Sequence, residues 1–467
     1  MSAKEKKSIY KPKPVSGFPE WTPEVRMIEQ QWLDHIRRTF ESYGFCSIET
    51  PSVEELDVIR AKGGDGGADV DKEVYVLERL HKEEGDKDAR LALHFDQTVP
   101  LARYTAQHFD KLVFPFKRYQ MQRVWRGERP QAGRFREFTQ CDIDVINVDT
   151  LPLHFDAEMP AIIWETLSSL PGMEKENIQI RVSNRKILMG FLKTLGITDS
   201  KDILSITRNV DKIEKQGQEE LRCTLVSIIK HTPALAPLST IDLIMELVKI
   251  KATSSEFSGL LHDFIVRNDV IARSISDEAI QNFKEGIEEL AFVMDQLSHL
   301  PEGAVVADLS IVRGLDYYTG TVYETVFLDD PGYGSICSGG RYDDLASSYI
   351  HKALPGVGIS IGFSRLFARM LDNSAFETKR KSPADIFVVL PNEERRALAN
   401  ETAQTLRKRG FNVETSHGGK LKRQLAYAEK KGIPYVWFPP FEDGLDHEIK
   451  NMDTGEQIHA DPATWTI

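Results

Sequence analysis

The chain has 467 residues, with 59 Lys and Arg against 71 Asp and Glu and a formal net charge of −12 at pH 7. Such a length exceeds one ordinary hydrophobic core and suggests about three domains. The acidic balance excludes blanket attraction to nucleic acid, so RNA contacts must rest on local basic patches such as those between Lys379 and Lys431.

No apolar run reaches the ~18 residues that a membrane span needs. Cys46, Cys141, Cys223 and Cys337 form no CxxC pair, which indicates neither a zinc site nor a disulfide framework and fits a reducing cytoplasm. Residues 1–17 are basic and proline-bearing without an apolar h-region, and read as a disordered arm rather than a secretory signal.

From Trp21 to Gly44, the residues Val25, Ile28, Trp32, Ile36 and Phe40 recur at helical spacing. Thr22 serves as N-cap, Pro23 takes the first helical position and Gly44 is the stop, so an amphipathic helix is predicted. FCSIETPSVEE follows as a strand broken at Pro51. The KGGDGG run lacks both the Walker and the Rossmann spacing and reads as a mobile surface loop. EVYVLERL and LALHFDQTV flank the charged turn HKEEGDKDA, a hairpin pattern. Asp96, Gln97 and Thr98 then precede a helix through Tyr104 and His108, with Asp96 and Thr98 available as caps.

Lys117 to Ile146 is the most informative stretch. Two β-forming runs flank a polar turn at Pro130, Gln131, Ala132 and Gly133, the signal for an antiparallel hairpin. A period of two on the returning strand puts Arg136, Phe138, Gln140, Asp142 and Asp144 on one face, with Cys141, Ile143 and Val145 on the other. The first face is a working surface and the second is core. Arg126, Arg129, Arg134 and Arg136 crowd the tip, which suits either a bound polyphosphate or a solvated basic hairpin.

Leu151 to Leu170 is mostly helix, and NIQIRVSNRKIL is a strand entering a helix. Between Asp199 and Leu300 glycines become few and charges dense, and Leu243, Ile244, Leu247 and Ile250 recur at helical spacing. This reads as a helical module inserted between two halves of a sheet. AVVADLS is a strand, and Gly356 to Met370 is an apolar strand turning through Gly362 into a helix. After the charged linker Lys379 to Pro383, strands IFVVL, FNVET and YVWF alternate with helices, which predicts a small α/β domain with a largely parallel sheet.

RGERPQAGRFREFTQ, carrying Arg126, Glu128, Phe138 and Gln140, resembles motif 2 of the class II aminoacyl-tRNA synthetases in its histidyl form. RGLDYYTGTVYE, from Arg313, and GSICSGGRYDDL, from Gly334, resemble two signatures of the histidyl-tRNA synthetase family. The helix, strand and proline after Trp21 are similar to motif 1, and the segment through Arg365 to motif 3, with Phe363-Ser364 where Leu-Glu is usual. His94 stands where many members have arginine, and Asp144 is one methylene shorter than the glutamate of many.

The resemblance implies an α+β fold. A class II core on an antiparallel sheet flanked by helices would occupy residues 18–198 and 301–378. A helical insertion at 199–300 would clamp the acceptor arm, and an α/β anticodon-binding domain would occupy 384–467. The implied reaction is activation of L-histidine by ATP to histidyl-adenylate and pyrophosphate, then transfer to the 3'-terminal ribose of tRNA(His). Mg2+ accompanies the ATP, and the expected assembly is a cytoplasmic homodimer through motif 1, with neither membrane nor DNA involved.

By the same resemblance Arg126 bridges the α-phosphate and the histidine carboxylate, and Arg313 neutralises the α-phosphate from the opposite side. Phe138 and Arg365 sandwich the adenine and Glu128 accepts from its exocyclic amine. Asp96, Gln97, Thr98 and Gln140 hold the amino acid backbone, while Asp144 and the hydroxyl of Tyr317 or Tyr318 take the imidazole. Arg129 and Arg134 would contact the tRNA. These residue types fit the chemistry: two anions meeting at phosphorus need fixed cations and alignment, and a neutral imidazole offers one donor and one acceptor. A histidyl synthetase-like regulatory subunit of histidine biosynthesis is the competing reading. Such paralogues generally lack the C-terminal domain and parts of the catalytic set, whereas this chain keeps Arg126, Arg313 and residues 384–467.

Overall fold

The structure, a computed structural model, describes residues 10–61, 73–81, 90–131, 133–229, 237–270, 276–312, 318–344, 346–376 and 380–467. The KGGDGG run, Ala132, most of the HKEEGDKDA turn, Arg313 and Tyr317 therefore lie outside the described residues. The chain forms two compact units, residues 1–19 with 33–372, and residues 20–32 with 373–467.

In the first unit the strands are β1 Cys46–Ser47, β2 Val53–Glu55, β3 Val76–Leu77, β4 Leu91–Leu93, β5 Phe116–Trp125 and β6 Glu137–Ile146, followed by β7 Ile178–Asn184, β8 Lys251–Ala252, β9 Val305–Asp308, β10 Thr321–Phe327, β11 Cys337–Tyr342 and β12 Gly356–Ile361. Nine of them make one sheet in the order β1-β5-β6-β12-β11-β10-β7-β9-β8, and β2-β4-β3 make a small second sheet. Within the large sheet β1 with β5 and β7 with β9 run parallel, and the other pairings are antiparallel.

The predicted central hairpin is β5 and β6, paired from Phe116 with Ile146 to Trp125 with Glu137. Cys141, Ile143 and Val145 are fully buried, as are Val357 and Ile361 on the same face of β12. That face is closed in part by the helix His154–Ser168, where Asp156 accepts from both Nε and Nη2 of Arg341. The opposite face carries a polar row across four strands, with Gln120 opposite Asp142, Asp142 opposite Ser360, and Ser360 opposite Ser338. Alternation along each strand thus makes one side core and leaves the other for chemistry.

The predicted first helix is Pro23–Ser42, with Trp32, Ile36 and Phe40 fully buried, and Gly44 at φ +79 follows its end. The stretch 199–300 is mainly helical, as its spacing predicts, in segments from Ser200–Val210 to Asp277–Gln296. It is not separate from the sheet. β8 pairs with β9, and Phe191 on the helix Arg185–Thr194 meets Phe264 and Phe283 at 5.6 Å each.

The second unit holds β13 Ile386–Val388, β14 Val413–Thr415, β15 Tyr435–Phe438, β16 Glu448–Asn451 and β17 Gln457–His459, in the order β14-β13-β15-β16-β17. Its sheet departs from the largely parallel one expected. β13 is parallel to β14 and β15, but β16 and β17 are antiparallel additions. For β17 the reason is connection length: the turn through Asp453 to Gly455, with Gly455 at φ +77, is too short for a crossover, so the chain must reverse against β16.

Candidate active site

Gln140, Asp142 and Asp144 follow one another on the open face of β6. Asp144 is held from both sides, with an Arg118 guanidinium nitrogen 2.6 Å from Oδ2 and the Tyr342 hydroxyl donating to Oδ1 at 2.8 Å. Tyr342 reaches across β12 because two glycines leave room. A Cβ on Gly356 would fall 2.3 Å from the Tyr342 ring, and one on Gly358 would fall 2.1 Å from Asp144 Oδ1. Gln140 donates to Ser360 Oγ at 2.8 Å. The Asp142 carboxyl is pushed up to about 7, mainly by burial and further by Asp144 and Asp96, while Arg118 and Ser360 oppose the rise.

Two cavities open over this floor. One, of about 260 Å³, is lined by Asp96, Thr98, Asp142, Asp144, Tyr318 and Tyr342. The other, of about 250 Å³, is lined by Glu128, Arg134, Phe138 and Arg365 among others. Arg126, Gln140, Ser338 and Ser360 line both, so the two cavities adjoin, with Arg126 at the joint. Arg126 is fixed there by donation from Nε to the Phe95 carbonyl at 3.1 Å and by the Phe138 ring, whose centroid lies 5.2 Å from its guanidinium carbon. One cavity is acidic with a polar floor, and the other is basic with an aromatic wall.

Arg365 lies over Tyr333, 4.9 Å from the ring centroid, and donates to the Tyr333 carbonyl, while the Tyr333 hydroxyl donates back to the Arg365 carbonyl at 2.7 Å. Two of the arginines at the hairpin tip are held by Glu128. Arg134 pairs with Glu128 at 3.2 Å, Arg136 donates to the Glu128 carbonyl at 3.1 Å, and Arg129 is exposed.

Of the residues singled out from sequence, Arg126, Asp96, Thr98, Gln140, Asp144 and Tyr318 meet in the acidic cavity, and Glu128, Phe138, Arg134 and Arg365 in the basic one. Asp96 also caps the helix Thr98–Gln107 by accepting from Val99 N at 3.0 Å. Gln97 lines neither. Its amide donates to the Gln122 and Gln140 carbonyls at 3.1 Å each, which pins that helix to the hairpin. The hydroxyl that bonds Asp144 is that of Tyr342, whose ring spans the gap above Gly356; Tyr317, expected with Tyr318 to offer a hydroxyl to the imidazole, lies outside the described residues.

Arg118, Asp142 and Ser360 were not anticipated as a set. Polar residues at Arg118, Gln120 and Gln122, two apart on a strand, were the available signal. Two departures from the family pattern also have structural roles. Ser364 Oγ accepts from Thr139 N at 2.8 Å, so a hydroxyl at that position holds the returning strand. His94 Nε2 donates to the Arg123 carbonyl at 2.7 Å beneath Trp125, and burial lowers its pKa.

A mostly antiparallel sheet with a motif 2-type hairpin, an arginine at the joint of two cavities and a second arginine beyond it is the arrangement of a class II aminoacyl-tRNA synthetase core. Comparison with known proteins narrows this. A family model described as histidyl-tRNA synthetase matches residues 17–366, and one described as an anticodon binding domain matches residues 385–462. The chain is 53% identical over 459 residues to a histidine--tRNA ligase of Thermobifida fusca, covering 98% of each. It is 42% identical to one of Bifidobacterium longum subsp. infantis, covering 97% of this chain and 96% of that one. A solved histidyl-tRNA synthetase from Nostoc sp. superposes with a TM-score of 0.82 at 36% identity, over 97% of each chain. An ATP phosphoribosyltransferase regulatory subunit/histidyl-tRNA synthetase from Bacillus halodurans, 18% identical with a TM-score of 0.68 over 90% of this chain and 97% of that one, shares the fold alone. The chain belongs to the histidyl-tRNA synthetase family.

Proposed function

We propose that the joined cavities carry out the activation of L-histidine by ATP and then the transfer of the histidyl group to the 3'-terminal ribose of tRNA(His). In the first step a carboxylate oxygen of histidine attacks the α-phosphorus, the bond to the bridging oxygen breaks, and pyrophosphate leaves with the electron pair. In the second the ribose hydroxyl attacks the acyl carbon, loses its proton, and AMP departs. The observation that carries this reading is that Arg126 and Gln140 line both cavities, so a carboxylate and a phosphate brought to Arg126 are already adjacent.

Arg126 would neutralise both anions, and Arg313, outside the described residues, keeps its proposed place on the α-phosphate. Phe138, Glu128 and Arg365 line the side that would take the adenine, and ATP would enter as its magnesium complex, the ion riding on the phosphates. Asp96, Thr98 and Gln140 would hold the amino acid backbone, while Asp144, braced by Tyr342, and the hydroxyl of Tyr317 or Tyr318 would take its ring. Arg129 and Arg134 divide: Arg134 lines the nucleotide side, whereas exposed Arg129 is the better candidate for the tRNA. Residues 385–462 would read the anticodon and the helices of 199–300 the acceptor arm, in a homodimer joined through the first helix and β1. A reducing cytoplasm fits the free cysteines, and no helix among the described residues is long and apolar enough to cross a membrane.

Histidine-dependent exchange of labelled pyrophosphate into ATP tests the first step. A folded, full-length protein that shows no such exchange rejects the reading.

A further inference from the structure

The carboxylates of the acidic cavity are not equivalent. Asp144 has Arg118 on one oxygen and the Tyr342 hydroxyl on the other. Asp142, the next residue on the same face, is 4% exposed, and its Oδ1 is buried without a hydrogen-bond partner. Gln140 Oε1 is in the same condition, while its amide nitrogen donates to Ser360 Oγ. Asp96, on the cavity wall, directs one oxygen to the Val99 N–H.

A buried acceptor left unpaired costs about 1 to 3 kcal/mol, and more when charged. Such atoms persist where a ligand completes them. Asp142 Oδ1 and Gln140 Oε1 are acceptors two residues apart on one strand, with the Asp96 carboxylate nearby and a net negative charge around them. A primary ammonium group, with three N–H donors and a positive charge, answers that set, whereas an imidazole nitrogen brings one donor. The order along β6 agrees. Gln140 is shared with the nucleotide side, Asp142 lies one step beyond and Asp144 two. An amino acid whose carboxylate sits at Arg126 would place its ammonium beside Gln140 and Asp142, and its ring toward Asp144.

We propose that Asp142 binds the α-ammonium group of the amino-acid substrate and, with Gln140 and Asp96, makes the cavity selective for a protonated amine. This rests on the histidine-activation reading. The carboxyl, pushed up to about 7 mainly by burial, would be drawn back to its charged form by such a cation. Among the described residues, the charged groups acting on it are Arg118 on β5, Asp144 on β6 and Asp96 before the helix Thr98–Gln107, with Ser360 the polar neighbour on β12, and Glu73, Arg126, Tyr318 and Tyr342 line the same cavity.

Three probes separate the possibilities: L-histidine, histidinol, which has the amine and ring but no carboxylate, and 3-(imidazol-4-yl)propionate, which has the ring and carboxylate but no amine. Binding of each to the full-length wild type and to Asp142→Asn is measured by titration calorimetry. The variant is expected to bind histidine and histidinol about 10- to 100-fold more weakly and the propionate within about twofold of wild type. Equal weakening for all three, or no change, overturns the assignment.

Should the variant fail to fold, the wild type itself decides. Between pH 8 and pH 6 its affinity for histidinol relative to the propionate, corrected for each ligand's own imidazole ionisation, should fall about tenfold as Asp142 takes up a proton, and a constant ratio overturns the proposal. A wild type that binds neither histidine nor histidinol removes the activation reading as well. One that binds both and is indifferent to the substitution removes the Asp142 assignment alone.

Discussion

The Tyr342 hydroxyl donates to Asp144 Oδ1 at 2.8 Å across the strand that separates them. An aspartate needs a long partner to be held from two strands away, and tyrosine is long enough only because nothing stands between. With Arg118 on the other oxygen, the Asp144 carboxylate is fixed in orientation before any substrate arrives. Preorganisation of this kind lets a buried polar pair discriminate against a side chain that cannot complete it.

Tyr342→Phe should weaken histidine binding and leave the nucleotide side alone. Removing one hydroxyl from a buried carboxylate costs about 1 to 2 kcal/mol, which corresponds to roughly a tenfold rise in the KM for histidine. Pyrophosphate exchange kinetics would read it, with the KM for ATP within about twofold of wild type. A parallel rise in both constants would show that the hydroxyl supports the whole cleft rather than the amino-acid side.

Gly358→Ala should be far more damaging. The added methyl would lie 2.1 Å from Asp144 Oδ1 and 2.8 Å from the Ile143 carbonyl, and the second of these is backbone in the sheet and cannot swing away. Histidine-dependent exchange is expected to fall by at least about 100-fold, with Asp144 displaced and the strand pairing strained. Gly259→Ala, where the new methyl meets nothing within 4 Å on the helix Ser254–Arg267, is the control and should leave exchange unchanged.

Behind the sheet, Arg341 donates from Nε to Asp156 Oδ1 at 3.0 Å and from Nη2 to Oδ2 at 2.6 Å, and Asp156 is fully buried. Asp156→Ala would strand the guanidinium without its counter-charge, a loss of about 3 to 5 kcal/mol. Denaturant unfolding should show it as a lower midpoint for the first unit. The double variant Asp156→Leu with Arg341→Met should recover part of the loss, because it removes the buried charge as well. No recovery would mean that the pair fixes geometry rather than merely balancing charge.

The central hairpin was legible because its period is local. Alternation within β6 assigns Cys141, Ile143 and Val145 to the core from the sequence alone, and all three are fully buried. What Asp144 touches was not legible, since its hydroxyl partner lies 198 residues away and the contact depends on strand order and on two intervening glycines. Tyr342 carried no signal of its own in the sequence, and only the register of β11 against β12, which sets it opposite Gly356, brings it to Asp144. Ser364 shows a similar limit, because the loss of a family carboxylate could be seen but not that a hydroxyl would take the Thr139 N–H. In the second unit the helices and first three strands follow from periodicity, while the antiparallel hairpin of β16 and β17 depends on a turn of a few residues.

Asp142 also makes a prediction about stability whose sign can be worked out. Burial pushes its carboxyl up from an ordinary 3.8 to about 7 in the folded protein, so between those values the folded protein holds a proton that the unfolded chain has released. Stability must then fall as pH rises through that window, and above about 7 the whole penalty, at most about 4 kcal/mol, is present. An asparagine carries no such slope. In the absence of ligand Asp142→Asn should therefore be more stable than wild type at pH 8, with the gap narrowing by about 2 to 3 kcal/mol at pH 5. Denaturant unfolding at the two pH values measures it, and curves that keep a constant separation would show that this carboxylate is already neutralised within the protein. Saturating histidine at pH 8 should stabilise the wild type more than the variant, because the substrate's ammonium supplies the charge that the empty cavity lacks.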